Sequence, residues 1–240
     1  MNQADQQPSA LTVVMPVYNE VESIAAAIED VRRNVFSIVP SAGLLLVDDG
    51  SRDGTAQRLD SIAAADPQHI QIIHQKNGGH GAALMAGLDV ATGEYVLLVD
   101  SDAQIPLSGF EPAWQWIPSF DAVLGMRSQR EDPFTRCALS RAIRWFVNGF
   151  FGVSLRDANC PFKIVRRSIW TILRPQLPLA TLAPSLFLAI FIQRRHYTSK
   201  EIVVAHRPRL YGRSKIRHAR LLWFCFRAFG QLLHFRLTVA

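Results

Sequence analysis

Acidic residues are scarce in the second half of this chain. Residues 121–240 hold 5 Asp or Glu against 21 Lys or Arg, whereas residues 1–120 hold 15 against 5. The net charge of +6 therefore hides a strongly polarised distribution. Such asymmetry predicts an anionic partner for the back half: nucleic acid, a phosphorylated ligand or a membrane surface. Cysteine is scarce too. Cys137, Cys160 and Cys225 form neither paired nor metal-ligand spacing, which excludes a disulfide framework and a zinc motif. The polar start "MNQADQQPSA" lacks the apolar core of a secretion signal, and with the odd cysteine count it fits a reducing compartment. Also missing is an apolar run of the roughly 18 residues that a membrane span needs. "LPLATLAPSLFLAIFI" is split by Pro184, and "LLWFCFRAFGQLLHFRL" is broken by Arg227, His234 and Arg236. There is no internal repeat. No helix-turn-helix, RNA-recognition or zinc pattern accompanies the basic charge, so nucleic acid is not the expected partner.

What is present suits one large domain. The chain has 240 residues and an apolar fraction of 49%, enough for a full core. "LTVVMPVY", "GLLLVDD", "IQIIHQ", "EYVLLVD" and "FDAVLGMR" read as buried strands, and "EIVVAH" as a further one. Between them lie helical patterns. Val21, Ile24, Ala25, Ile28 and Val31 share one face over Glu20–Arg33, and Ala56, Leu59, Ile62 and Ala63 share another. Alternating strands and helices predict an α/β fold with an open, mostly parallel sheet. Ligands of such sheets sit beyond the carboxyl ends of the strands, where Asn19, Glu20, Asp48, Asp49, Asn77, Asp100 and Asp102 cluster. The back half is expected to be a basic, amphipathic-helical elaboration: aromatic, Arg-bearing helices near 134–151 and 215–240, and a polar tail over 1–10.

Four stretches carry candidate chemistry. In "VLLVDSDAQIP", Asp100, Asp102 and Gln104 share a face if extension persists. Their hard oxygens suit Mg²⁺ or Mn²⁺, although helix capping by Ser101, Asp102 or Ser108 explains the same residues equally well. In "LLVDDGSRDGT", Asp48 and Asp49 can accept from a nucleobase or ribose, or simply shape a turn. "QKNGGHGAALMAG" places three glycines before a helix, favouring close backbone approach and an anion, but it matches neither a Walker loop nor a dinucleotide fingerprint. "HRPRLYGRSKIRHAR" gathers Arg207, Arg209, Arg213, Lys215, Arg217 and Arg220, a solvated face or a phosphate pocket. The Arg, Trp and Phe mixture of 134–151 and 216–237 suits helices lying in a membrane interface as well as ordinary packing on a core.

Taken in order, "VVMPVYNE", "LLVDDGSRDGT", "NGGHGAALMAG", "VLLVDSDAQIP", "AVLGMR" and "RLYGRSK" resemble the family-2 glycosyltransferases with the GT-A (Rossmann-like) fold. The likeness, over about residues 11–220, is greatest to the polyprenyl-phosphate sugar synthase branch, typified by dolichol-phosphate mannose synthase. It implies that Pro16, Tyr18, Glu20 and an acid of the Asp48–Asp49 pair line a nucleotide pocket. It further implies that Asp100, Asp102 and Gln104 serve a metal and the donor diphosphate, with Asp102 at the reaction centre. Arg127, Arg209, Ser214 and Lys215 would gather around donor and acceptor phosphates, and Asp157 would be an acid near the reaction. The implied catalytic domain covers 11–214.

The resemblance also implies an inverting hexosyl transfer from a nucleoside-diphosphate sugar to a polyprenyl phosphate. The expected location is cytoplasmic and peripheral, on the inner face of the membrane, with a partner subunit able to supply an anchor. A lipid phosphate is largely ionised at neutral pH because its second pKa is about 6, so it needs no strong base. A hydroxyl acceptor would need one, and Asp157 would be the candidate. Transfer to a glycan hydroxyl and a non-catalytic, membrane-associated binding module are the competing expectations.

Overall fold

The computed structural model describes residues 10–128, 134–207 and 218–239. Seven strands form one sheet in the order β3-β2-β1-β4-β6-β5-β7. The first three, β1 (Leu11–Val17), β2 (Gly43–Asp48) and β3 (Ile70–His74), are parallel, and β4 (Tyr95–Leu98) pairs in parallel with β1. Every residue of β1 and β4 is buried. Continuous apolar runs are what a sheet covered on both faces requires, which explains why these strands show no alternation.

Helices α1 (Ile24–Val31), α2 (Thr55–Ala65) and α3 (His80–Val90) connect the parallel strands. The first is shorter than its hydrophobic period suggests. It begins four residues after Glu20, because Ser23 sits at the cap position and its hydroxyl donates to the Glu20 carboxylate at 2.6 Å. Val21 is left exposed, while Ile24, Ala27, Ile28 and Val31 are buried. The helix runs on into a wider π-type turn, Arg32–Phe36. On α3, Gly87 allows close approach to β1: a Cβ there would come within 2.5 Å of Val14 Cγ1.

One strand was not expected. After β5 (Ala122–Arg127) and α5 (Phe134–Phe151), the segment Lys163–Arg166 forms β6, antiparallel to both β4 and β5. It is four residues long and charged at both ends, so no hydrophobic period marks it. Helices α6 (Arg167–Leu173) and α7 (Pro184–Arg194) follow, then edge strand β7 (Ser199–Val204), parallel to β5, and the long α8 (His218–Val239). A short α4 (Phe110–Trp114) lies between β4 and β5. The sheet is therefore mostly parallel α/β, with a basic helical elaboration after it.

Two large apolar clusters cover the sheet. One gathers α1, α4 and the β1–β2 side; the other gathers α3, α5, α6, α7 and α8. Helix α7 is buried almost all round, from Leu186 to Ile192. Each fully buried Leu, Ile or Phe there contributes about 1.5–3 kcal/mol, so α7 is the hub on which α5 and α8 pack.

Candidate active site

The carboxyl ends of β1, β2 and β4 converge on one edge, and loops stitch them together. Asn19 adopts φ +53° at the tip of β1. Its backbone N–H donates to Ser51 Oγ at 2.9 Å, and its side-chain oxygen accepts from the Arg52 N–H at 2.8 Å. The Glu20 N–H donates to Thr55 Oγ1 at 3.0 Å. These bonds hold Tyr18, which is 44% exposed, at the rim. Pro16 lies deeper, buried within β1 opposite Val47.

Asp48, the last residue of β2, and Asp49 after it are both buried and already engaged by the protein. Asp49 accepts from the N–H groups of Gly78 and Gly79 and from Gln75 Nε2, each at 2.8 Å. The anion bound by the glycine-rich loop is thus a carboxylate of this chain. Asp48 accepts from the Ser51 N–H at 3.1 Å and lies 3.0 Å from His74 Nδ1, while His74 Nε2 lies 3.0 Å from Asp60. Hydrogen bonds to Asp48 and Asp60 raise the His74 pKa above its usual value against the opposing effect of burial. Charge-assisted bonds of this kind are the strong ones, so the pair acts first as scaffold for the pocket.

The acidic tip after β4 departs from the extended geometry that its spacing suggests. The strand ends at Leu98, the chain turns at Ser101 and Asp102, and Ala103 takes φ +55°. A non-glycine residue in the left-handed region costs of order 1 kcal/mol or more, and such strain concentrates at functional sites. Asp100, Asp102 and Gln104 therefore do not line one face of a strand. Asp102 Oδ1 accepts from the Gln104 N–H at 3.2 Å. Gln104 faces the chain after β7: its amide donates to the Arg207 carbonyl at 3.3 Å, and its own carbonyl accepts from the Arg207 N–H at 2.7 Å.

Asp100 and Asp102 are both partly exposed. Asp100 Oδ1 lies 3.0 Å from Nε2 of His80, the first residue of α3. Burial opposes the Asp100 charge, but the His80 bond and the charges of His80, Arg127 and Lys163 outweigh it and lower the Asp100 pKa. Burial likewise pushes the His80 imidazole down, and Asp100, with the charges of Asp102 and Asp49, pushes it up further, for a net rise. A cation is therefore favoured at this carboxylate. Among the described residues, no cluster of three or more His, Cys, Asp or Glu could hold a metal ion by protein ligands alone. Two carboxylates leave coordination positions open, which suits Mg²⁺ or Mn²⁺ shared with substrate phosphates.

Beyond β5 the site turns cationic. Arg127 grips Asp157 in a two-pronged pair, Nε to Oδ2 at 2.7 Å and Nη2 to Oδ1 at 2.8 Å, and both side chains are nearly buried. Beside them opens a cavity of about 690 Å³ between α5, α7 and α8. Arg127, Asp157, Arg141, Arg144 and Arg156 line its polar part; Phe146, Leu186, Phe229 and Leu232 contribute to its apolar part. Helices α5 and α8 meet through Phe146 and Phe229, with ring centroids 5.2 Å apart, and the Arg236 guanidinium lies over Phe150 at 4.7 Å. Trp145, 73% exposed, and Leu237, 81% exposed, face outward. Among the described residues, no helix is long and apolar enough to cross a membrane.

Arg209, Ser214 and Lys215, with the domain boundary at 214/215, lie outside the described residues. Sequence reasoning passed over Lys163, which is buried behind the Asp157 loop. A lysine at the start of a short strand gives no periodic signal of burial. It also passed over His74, whose two carboxylate partners are distant in sequence.

The arrangement has known counterparts. The model of glycosyl transferase family 2 matches residues 12–170. An undecaprenyl-phosphate 4-deoxy-4-formamido-L-arabinose transferase of Pseudomonas fluorescens (strain SBW25) is 33% identical over 220 residues, covering 90% of this chain and 62% of that protein. The like-named protein of Proteus mirabilis (strain HI4320) is 33% identical over 214 residues, covering 88% and 64%. The chain thus spans less than two thirds of these curated relatives. Among solved structures, glucosyl-3-phosphoglycerate synthase from Mycobacterium tuberculosis in complex with Mn²⁺, UDP and phosphoglyceric acid superposes with a TM-score of 0.69 at 18% identity, covering 94% of this chain and 78% of that one. A mannosyltransferase from Pyrobaculum calidifontis in complex with GDP-Man and Mn²⁺ gives 0.65 at 20% identity, covering 95% and 65%. The fold is accordingly that of the GT-A glycosyltransferases, and the chain belongs to glycosyl transferase family 2.

Proposed function

We propose that this protein is an inverting glycosyltransferase that moves a hexose, or a modified sugar, from a nucleoside-diphosphate sugar to a polyprenyl phosphate of the dolichyl or undecaprenyl type. The observation that carries the reading is the cavity beside Arg127. It is arginine-lined at the sheet edge and apolar between α7 and α8, the two chemistries of a lipid phosphate. The relatives' names point the same way, since both speak of an undecaprenyl-phosphate acceptor.

In this reading Tyr18, Glu20 and the loop after Asp48 and Asp49 bind the nucleotide. Asp100 and Asp102 hold a divalent ion, Mg²⁺ or Mn²⁺, which when bound neutralises the leaving diphosphate. Gln104 sets the tip by holding Arg207. Arg127 draws the acceptor phosphate towards the sugar, aided by Arg209, Ser214 and Lys215. A phosphate oxygen forms the bond to the anomeric carbon as the bond to the diphosphate breaks, and the electron pair leaves with the nucleoside diphosphate. The dianion carries no proton to be removed, so positioning and charge stabilisation supply the catalysis.

The position of Asp157 favours this acceptor over a sugar hydroxyl. Its two oxygens are turned to the Arg127 guanidinium. A carboxylate in that state orients an arginine, whereas a hydroxyl acceptor would need a base directed at the incoming oxygen. The protein acts on lipid from the cytoplasmic membrane face, held there by the aromatic and basic sides of α5 and α8, alone or with an anchoring partner subunit.

The test is transfer from labelled UDP- and GDP-sugars to a short polyprenyl phosphate with Mg²⁺ or Mn²⁺. Lipid-linked product is expected from one donor, falling about 100-fold or more in Asp102→Asn, in line with the loss of one transition-state charge contact. No lipid-linked product across a broad donor panel overturns the reading.

A further inference from the structure

We propose that Lys163 is the buried cation that fits the acceptor cavity for a phosphate dianion, and thus determines acceptor specificity. This rests on the acceptor reading above and deepens it. Lys163 is 1% exposed, on the first residue of β6. Its ammonium donates to the Ala158 carbonyl at 3.2 Å, to the Cys160 carbonyl, and to Ser185 Oγ at 2.8 Å. All three acceptors are neutral. They satisfy its hydrogens without cancelling its charge.

That arrangement is costly. An ammonium taken out of water carries a penalty of several kcal/mol unless a counter-charge repays it. Ser185 belongs to the first turn of α7, where the helix dipole adds further positive potential. Among the described residues, the charged and titratable groups that act most on Lys163 are Cys160 and Asp157 on the preceding loop, Arg127 on β5 and Asp100 beyond β4. Asp157 is already paired with Arg127, and Asp100 with His80. Burial holds the Cys160 thiol neutral, pushed up to about 11. Among the described residues, no carboxylate hydrogen-bonds the Lys163 ammonium, so its charge is met only at a distance.

The ammonium lies directly behind the cavity wall. Ala158, whose carbonyl accepts a hydrogen bond from the ammonium, lines it, as do Asp157, Ala183 and Leu186 on either side of the Lys163–Ser185 contact. A phosphate dianion entering beside Arg127 supplies a counter-charge through that wall. In its absence, burial lowers the Lys163 pKa to about 8. Linkage then requires the reverse effect: an anion that prefers charged Lys163 must raise its pKa and take up a proton on binding.

The experiment is calorimetry of the full chain with geranyl phosphate and, separately, with inorganic phosphate, at pH 8 in buffers of different ionisation enthalpy. For the wild type, roughly half a proton should be taken up per anion bound, since a group near its pKa is about half protonated. Lys163→Met should bind about 10-fold more weakly with no uptake. Lys163→Arg, which keeps the charge but does not titrate, should bind within about threefold of wild type, also without uptake. Nucleoside diphosphate affinity, measured with UDP and GDP plus Mn²⁺, should be unchanged in Lys163→Arg, which keeps the charge that acts on Asp100. The arginine variant serves alone if the methionine variant fails to fold.

Geranyl phosphate binding with the same uptake in Lys163→Arg as in wild type overturns the assignment while leaving lipid transfer intact. Lys163-dependent uptake with inorganic phosphate, but no binding of geranyl phosphate, supports the cation and removes the lipid from the acceptor reading. Failure of both probes to bind the wild type overturns both.

Discussion

At the scale of single residues, Asp49 shows how a motif acid can serve the fold before any ligand. Its carboxylate replaces the phosphate that a glycine-rich loop before a helix would otherwise invite. Asp49→Ala leaves the Gly78 and Gly79 N–H groups and Gln75 Nε2 without their acceptor. Each charged bond is worth about 1.5–3 kcal/mol, and the losses are partly shared, so about 3 kcal/mol of stability should go, read by urea denaturation. Asp49→Asn, which keeps acceptor oxygen, should lose less. Equal stability of Asp49→Ala and wild type would show that the loop does not depend on this carboxylate. Lys163, Asp157 and Arg127 carry the same lesson from the other side of the site: a motif residue is read correctly only when its partner is known.

At the scale of elements, His74 joins three of them. It ends β3, touches Asp48 at the end of β2, and reaches Asp60 on α2. Its pKa is raised, so its contribution to stability is fully present below the unfolded value near 6.5 and is lost as pH rises through the folded value. His74→Gln should therefore destabilise the protein at pH 6 and have little effect at pH 9. The side chain is 42% exposed, so solvent screening keeps the difference below about 1 kcal/mol. The measurement is thermal unfolding of both proteins across that range. A constant difference from pH 6 to pH 9 would count against a charged His74 between the two acids.

At the scale of the whole molecule, charge and apolar exposure are segregated. The parallel half gathers acids at its strand ends, and the helical elaboration gathers arginines and outward aromatic groups. Neither α5 nor α8 contains an acidic residue. Binding to vesicles with anionic headgroups is expected to weaken steeply between low and physiological salt, because exposed charges are screened beyond about 10 Å at 0.1 M. The double variant Trp145→Glu, Leu237→Glu should cut vesicle flotation about 10-fold or more, with UDP and GDP affinity unchanged. Flotation equal to wild type would move the membrane contact away from the α5–α8 face.

The local pattern alone determined much of this protein. Hydrophobic runs such as "LTVVMPV" and "GLLLVD" admit only buried strands, and their spacing with helices between them specifies an α/β sheet. Motif order identified the family, and the strand-end acids gather at the carboxyl edge of the sheet, where the proposed site lies. The tertiary structure decided what those acids do. The extension that spacing alone suggested stops at Leu98 and the chain turns at Ser101 and Asp102, and the left-handed torsion at Ala103 then redirects Gln104. β6 exists because the sheet offers a place between β4 and β5, although its four residues have no period of their own. The pairing of Asp157 with Arg127 across 30 positions, and the burial of Lys163 against α7, arise only when distant segments meet. Local sequence fixes torsional and hydrophobic preference over a few residues, whereas counter-charges and desolvation depend on what folding brings within a few ångströms.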